Sequence, residues 1–195
     1  MDMTVQKFCN KHHACQESED WALENCSTMQ EVWDTARPEG LIWVATRKSV
    51  LTGRELRLFA VWCCRQIWHL MPDQRSRGAV DIAEQYANGE ATDERLAAAG
   101  DAAWAAAGDA ARAAGDAAWA AARDAARAAR AAAGGARDAA RDAARDAAWA
   151  AWAAGGADRA AAGAAWGAAG DAQAAYLREH CTPCFCPAKR GKGNK

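Results

Sequence analysis

Residues 97–175 hold 46 alanines in 79 positions, and nearly everything else in that stretch is Asp, Arg, Gly or Trp. Alanine has the highest intrinsic helix propensity, so the tract is expected to be helical almost throughout. The paired glycines Gly134-Gly135 and Gly155-Gly156 offer the clear breaks. The tract contains no Ser, Thr, Cys, His, Glu or Lys, so most ordinary catalytic groups are missing from nearly half the chain. The expected fold is all-α: a single-domain antiparallel bundle with long alanine-rich helices broken at those two glycine pairs.

Composition divides the chain into mixed sequence over 1–91, the alanine-rich repeat over 92–179, and a Cys-rich then basic tail over 180–195. The first two form one expected helical domain, 1–179. Apolar positions in residues 1–91 recur at helical spacing. Asp20 to Cys26 and Met29 to Ala36 read as short helices, with Ser27 or Thr28 capping the second. Pro38 suits the first turn of another. Thr52 followed by Glu55 is a capping-box pattern opening a helix through Leu56, Phe59, Trp62, Cys63 and Leu70. Pro72 and Asp73 start the next helix, which Asn88-Gly89 closes. Thr92, followed by Asp93 and Glu94, opens the alanine helices. No stretch alternates at period two for long enough to form a strand.

At roughly 100° per residue, Trp104, Arg112, Trp119, Arg123, Arg127 and Arg130 share one arc, opposite a face of alanine. Arg137, Arg141, Arg145, Trp149 and Trp152 repeat the arrangement, with Asp138, Asp142 and Asp146 beside them. Alanine faces are thin, so such helices can approach to about 8 Å. Gly100, Gly108 and Gly115 stripe with Trp104, and Gly163, Gly167 and Gly170 with Trp166, which suggests indoles laid against neighbouring backbone. Since alanine burial stabilises weakly, the tryptophans are expected to carry much of the packing. A solvated single rod is the competing picture, but it lacks the regular threonines of ice-binding helices and leaves the double glycines and five tryptophans unexplained.

The chain has 24 Lys+Arg against 25 Asp+Glu, without the basic excess of a general nucleic-acid binder. The longest apolar run, Leu58 to Cys64, cannot span a bilayer. Eight cysteines without a visible export signal read as reduced thiols, which places the expected protein in the cytoplasm of a bacterium or a phage-infected host. Oligomeric state is open, since thin alanine faces could also pair between chains.

Three constellations carry chemistry. Indoles stack on flat rings and guanidinium groups clamp phosphate or carboxylate, so Trp104, Arg112, Trp119, Arg123, Arg141, Arg145, Trp149, Trp152 and Trp166 suit a cleft for a nucleotide-derived molecule. The bland reading is gap-filling Trp and a solvated Asp/Arg face. A second set, Arg65, Trp68, His69, Arg75 and Arg77, gathers cations near a helix start; its bland reading is capping and pairing with Asp73 and Asp81. The third set is metal-ligating: His180, Cys181, Cys184 and Cys186 offer four zinc-type ligands, and Cys9, His12, His13 and Cys15 a second dense group. Each is only half of a normal spaced pair of ligand couples, so no cofactor is expected, with a zinc site joining or capping the termini as the alternative. No paired carboxylates, phosphate loop or dinucleotide fingerprint argues for an enzyme, and Cys63-Cys64 sit in an apolar helix suited to inert thiols.

The stretch from Thr52 to Ala107 resembles a bacterial and phage group of immunity proteins, the immunity-five-like domain of polymorphic-toxin systems. The matching positions are His69-Leu70, Arg77 to Val80, Ala83-Glu84 and Gly89-Glu90, with the close of the tract from Gln173 to Arg178. That resemblance implies an antidote that binds an effector and brings no catalytic signature. The expectation is a non-catalytic sequestering protein of a bacterial or phage conflict system. Its partner is either a small nucleotide-like immune signal held in a Trp/Arg-lined cleft or a protein toxin. A structural scaffold is the third reading.

Overall fold

Nine α-helices and no strand are found among the residues that the computed structural model describes, 3–71, 73–113, 136–154 and 159–186. The all-α expectation holds. The helices are α1 (Val5–His12), α2 (Gln16–Asn25), α3 (Met29–Thr35), α4 (Pro38–Ala45), α5 (Gly53–Gln66), α6 (Gln74–Ala87), α7 (Asp93–Ala113), α8 (Ala136–Ala154) and α9 (Arg159–His180), with a 3-10 turn at Trp68–Leu70. Both glycine pairs lie outside the described residues, as do Trp119 and Arg123; the Arg112 side chain does too.

Local chemistry sets the boundaries. The Thr52 hydroxyl accepts from the Glu55 N–H at 3.2 Å while the Glu55 carboxylate accepts from the Thr52 N–H at 2.8 Å, completing the capping box. Thr28, not Ser27, supplies the α3 cap, accepting from the Glu31 N–H at 3.1 Å. Gly89 follows α6 at φ 79°, a left-handed backbone that disfavours a side chain. Two N-terminal features depart from the sequence reading. Helix α1 was not expected; Thr4 caps it, and Val5, Phe8 and Cys9 bury one face. Helix α2 begins four residues before Asp20, since Glu17 and Glu19 complement its positive end.

Helix α5 buries Leu56, Phe59, Ala60, Cys63 and Cys64 and packs on both α6 and α8. Helix α6 packs on α7, α8 on α9, and α9 on α4. Ala140, Ala143, Ala144, Ala147 and Ala150 form the buried face of α8, and Arg137, Arg141, Arg145, Trp149 and Trp152 lie on its exposed side, the arc expected from the sequence. Three of the tract's tryptophans do not carry the packing, however. Trp104, Trp149 and Trp152 are 55%, 44% and 41% exposed. An alanine face lets α5 and α8 pack closely, and the buried bulk comes instead from Phe8, Trp33, Leu56 and Phe59. The glycine stripe of α9 is likewise open at Gly163 and Gly167. Only Gly170 makes a close approach, where an added Cβ would lie 3.3 Å from Pro38 Cβ.

The expected tail begins with non-helical residues that enter the core. Phe185 is buried, edge-on to Phe8 and Trp33 with ring centroids 6.0 and 6.4 Å away. The Cys184 N–H donates to the Val50 carbonyl at 2.8 Å, the Thr182 N–H to Glu55 Oε1 at 3.1 Å, and the Met3 N–H to the Phe185 carbonyl at 2.9 Å. Arg178, on α9, donates to the Trp33 and Ala36 carbonyls at 3.2 and 2.6 Å, satisfying acceptors left over at the end of α3. No described helix is long and apolar enough to cross a membrane.

Candidate functional site

A groove of about 760 Å³ lies among α1, α2, α3 and α4, within the usual range for binding clefts. Its floor is apolar: Val5, Phe8, Met29, Val32, Ala36 and Val44 line it, all buried. Two half-buried indoles wall it, Trp21 from α2 and Trp43 from α4. Trp43 sits edge-on to Phe8 at 6.1 Å and carries the Arg47 guanidinium 4.7 Å over its ring. Burial, then repulsion from Arg141 and Arg137, lowers the pKa of that guanidinium.

The rim is acidic. Glu17, Asp20 and Glu24 come from α2 and Glu39 from α4, against the single guanidinium of Arg37. These four carboxylates form no ion pair among the described residues. Asp20 accepts from the Gln16 amide at 2.7 Å. At the edge of the groove the exposed Cys15 thiol lies 3.1 Å from the Ser18 hydroxyl, whose hydrogen bond holds the thiol pKa below its ordinary value. The buried Cys9 thiol is pushed up by burial and by Glu19.

Cys9, His13 and Cys15 of the second metal-type group line this groove; none of the Trp and Arg residues or the His180–Cys186 ligands singled out from the sequence does, and the described ones fall into separate places. Trp149, Trp152 and Trp166 do come together, with Trp149 edge-on to Trp152 at 5.4 Å and to Trp166 at 5.3 Å, but on the outside of α8 and α9. Trp104 is exposed on α7. Arg141 and Arg145 line neither this groove nor the smaller hollow between α5, α8 and α9. Arg141 binds Asp138 at 3.0 Å, and Arg145 binds Asp142 at 3.5 Å and Asp146 at 3.2 Å, forming a ladder along α8. Arg75 grips its own helix cap, Asp73, at 2.6 Å, and Arg65 bridges to Asp81 and Glu84 at 2.7 and 2.8 Å. Trp68 lies between Arg65 and Arg77, whose guanidinium carbons are 4.3 and 5.4 Å from its ring. That sandwich joins α5 to α6, with Arg77 Nε buried and without a hydrogen bond among the described residues.

The metal-type ligands are also dispersed. His180 stacks on Tyr176 at 4.4 Å, while Cys181 is buried and its pKa pushed up to about 12 by burial and Glu55; Cys184 and Cys186 are exposed. No group of three or more His, Cys, Asp or Glu side chains placed to hold a metal is found among the described residues. Cys63 and Cys64 are fully buried, and burial drives the Cys64 pKa up to about 12 and raises that of Cys63 well above the ordinary thiol value.

Cys63 and His69 border a second hollow, of about 360 Å³, between α5, α8 and α9. The acidic groove carried a sequence signal that was passed over. Helix α2 holds Glu17, Glu19, Asp20 and Glu24 with no basic residue, whereas the alanine tract interleaves its Asp with Arg. In comparison with known proteins, no family model, curated protein or solved structure matches this chain.

Proposed function

We propose that the protein is a non-catalytic binding protein whose α1–α4 groove takes up a basic, partly apolar segment of a partner protein. The observation that carries this reading is the pairing of an apolar, indole-walled floor with four rim carboxylates that have no cationic partner among the described residues. Apolar side chains gain by leaving water there, and Lys or Arg in the incoming segment meets complementary charge, which favours encounter and register. Exposed indoles are favourable anchors because they bury much area with few rotatable bonds.

This is the antidote alternative, in which a conflict-system toxin is the partner, and it agrees with what the Thr52–Ala107 resemblance implies. The nucleotide-signal reading has less support. Its guanidinium groups Arg141 and Arg145 are engaged by aspartates, and the groove's carboxylates repel phosphate.

A short amphipathic peptide of leucine and lysine, and its leucine–glutamate counterpart, test the reading by fluorescence anisotropy on the full chain. The lysine peptide should bind, and added salt should weaken binding as the Debye length falls below about 10 Å. Reversing the rim with Glu17→Lys, Asp20→Lys and Glu24→Lys should weaken it at least tenfold, about 1.4 kcal/mol. Equal binding of the glutamate peptide, or indifference to the reversed rim, would refute the reading.

A further inference from the structure

The hollow between α5, α8 and α9 is separate from the groove, and alanine accounts for it. Ala147 of α8 and Ala168, Ala169 and Ala172 of α9 line it with single methyl groups, leaving space beside Trp62 of α5 and Ile67 just after it. No carboxylate, guanidinium or ammonium group lines it. We propose that this hollow binds a small, flat, uncharged aromatic molecule carrying one hydrogen-bond donor, of the chemistry of indole.

Four observations converge on that ligand class. The hollow, about 360 Å³, is more than twice the roughly 150 Å³ of an apolar cavity that takes up benzene. A cationic ligand would lose its hydration with no carboxylate in the lining to meet it, and an anion would meet only the solvent-exposed His69 imidazole, so a neutral occupant fits best. Trp62 already stands in a column of rings, stacked on Tyr176 at 4.7 Å, with Tyr176 stacked on His180 at 4.4 Å; a flat ring beside it meets the same favourable surface. The donor follows from Gln173, which lines the hollow and is 5% exposed. Its amide nitrogen donates to the Ala144 carbonyl at 2.9 Å, while its Oε1 accepts from no protein group among the described residues. A ligand N–H or O–H supplies what that oxygen lacks.

The probe is 5-fluoroindole, followed by fluorine NMR on the full chain. Saturable broadening is expected, with N-methylindole, which has no donor, and indole-3-acetate, which is charged, each at least tenfold weaker. Ala172→Leu and Ala168→Leu, which fill the space, should each weaken 5-fluoroindole binding at least tenfold. Trp152→Ala, on the exposed indole cluster, should leave it unchanged. The proposal is overturned by absence of saturable binding, by binding that survives both filled variants, or by binding lost with Trp152→Ala. Equal affinity for indole and N-methylindole in the unaltered protein also overturns it, and that comparison needs no variant to fold.

Discussion

Helices α2 and α8 spend their charge in opposite ways. Along α8 each acid meets a base of the same helix, Asp138 with Arg141 and Asp142 with Arg145, so the exposed face is electrostatically closed on itself. Along α2 the acids form no ion pair among the described residues, and the helix presents a negative edge to the groove it helps to wall. Their packing is opposed as well. Helix α8 closes on α5 through buried alanines, while the N-terminal helices close on one another through Phe8, Met29 and Trp33. The short helices, which meet through large side chains, enclose the groove of about 760 Å³, and the long helices, which meet through methyl faces, the smaller hollow of about 360 Å³. The larger of these two recesses therefore lies in the region with the unremarkable sequence.

The strongest test of that contrast removes bulk from the aromatic side. Phe185→Ala, at a buried position against Phe8 and Trp33, should cost about 3–5 kcal/mol in denaturant unfolding. A loss as small as that of a surface change would show that the aromatic cluster is not what holds the N-terminal helices. Adding bulk to the alanine side comes next. Ala143→Leu, on the fully buried face of α8, should destabilise by about 1–3 kcal/mol through overpacking, visible as a lowered Tm.

Glu55 connects the two regions, since its carboxylate caps α5 and also accepts from Thr182. Burial opposes its ionisation, but the Thr52 hydroxyl and N–H and the Thr182 N–H outweigh this and hold its pKa below the ordinary value. A depressed carboxylate contributes stability above the unfolded pKa of about 4.3, and that contribution is lost as pH falls through the lower folded value. Glu55→Gln should therefore cost about 1 kcal/mol at neutral pH and flatten the acid limb of the stability curve below about pH 4.3. An unchanged acid limb would remove Glu55 from the account. The smallest effect is on the ladder. Arg141→Ala, in an exposed pair, should shift stability by no more than about 0.5 kcal/mol, and less again in high salt.

Much of the architecture was legible because its causes are local. The Thr52–Glu55 box, the Gly89 terminator and the alanine-in, arginine-out division of α8 each depend on residues a few positions apart. The groove depends on four helices, and no periodicity within one of them reports how the others lean against it. Composition misled in one respect. Arg and Trp sharing an arc of α8 looked like a cleft, but an arc facing away from α5 faces solvent, and its guanidinium groups settle on the nearest aspartates. Gln173 and Arg178, noticed as part of a resemblance, turn out to bind the Ala144 carbonyl and the end of α3. Partners 29 and 145 positions away leave no trace in a single sequence.

The reach of Arg178 back to Trp33 and Ala36 bears on how the protein is made. Ribosomes add about 5–20 residues per second, so the 145-residue interval puts roughly 7–30 s between the emergence of α3 and the arrival of the guanidinium that closes its carbonyl end. Until then the corner from which α4 departs lacks its fastening. The four N-terminal helices therefore emerge well before α9 fastens the corner between α3 and α4.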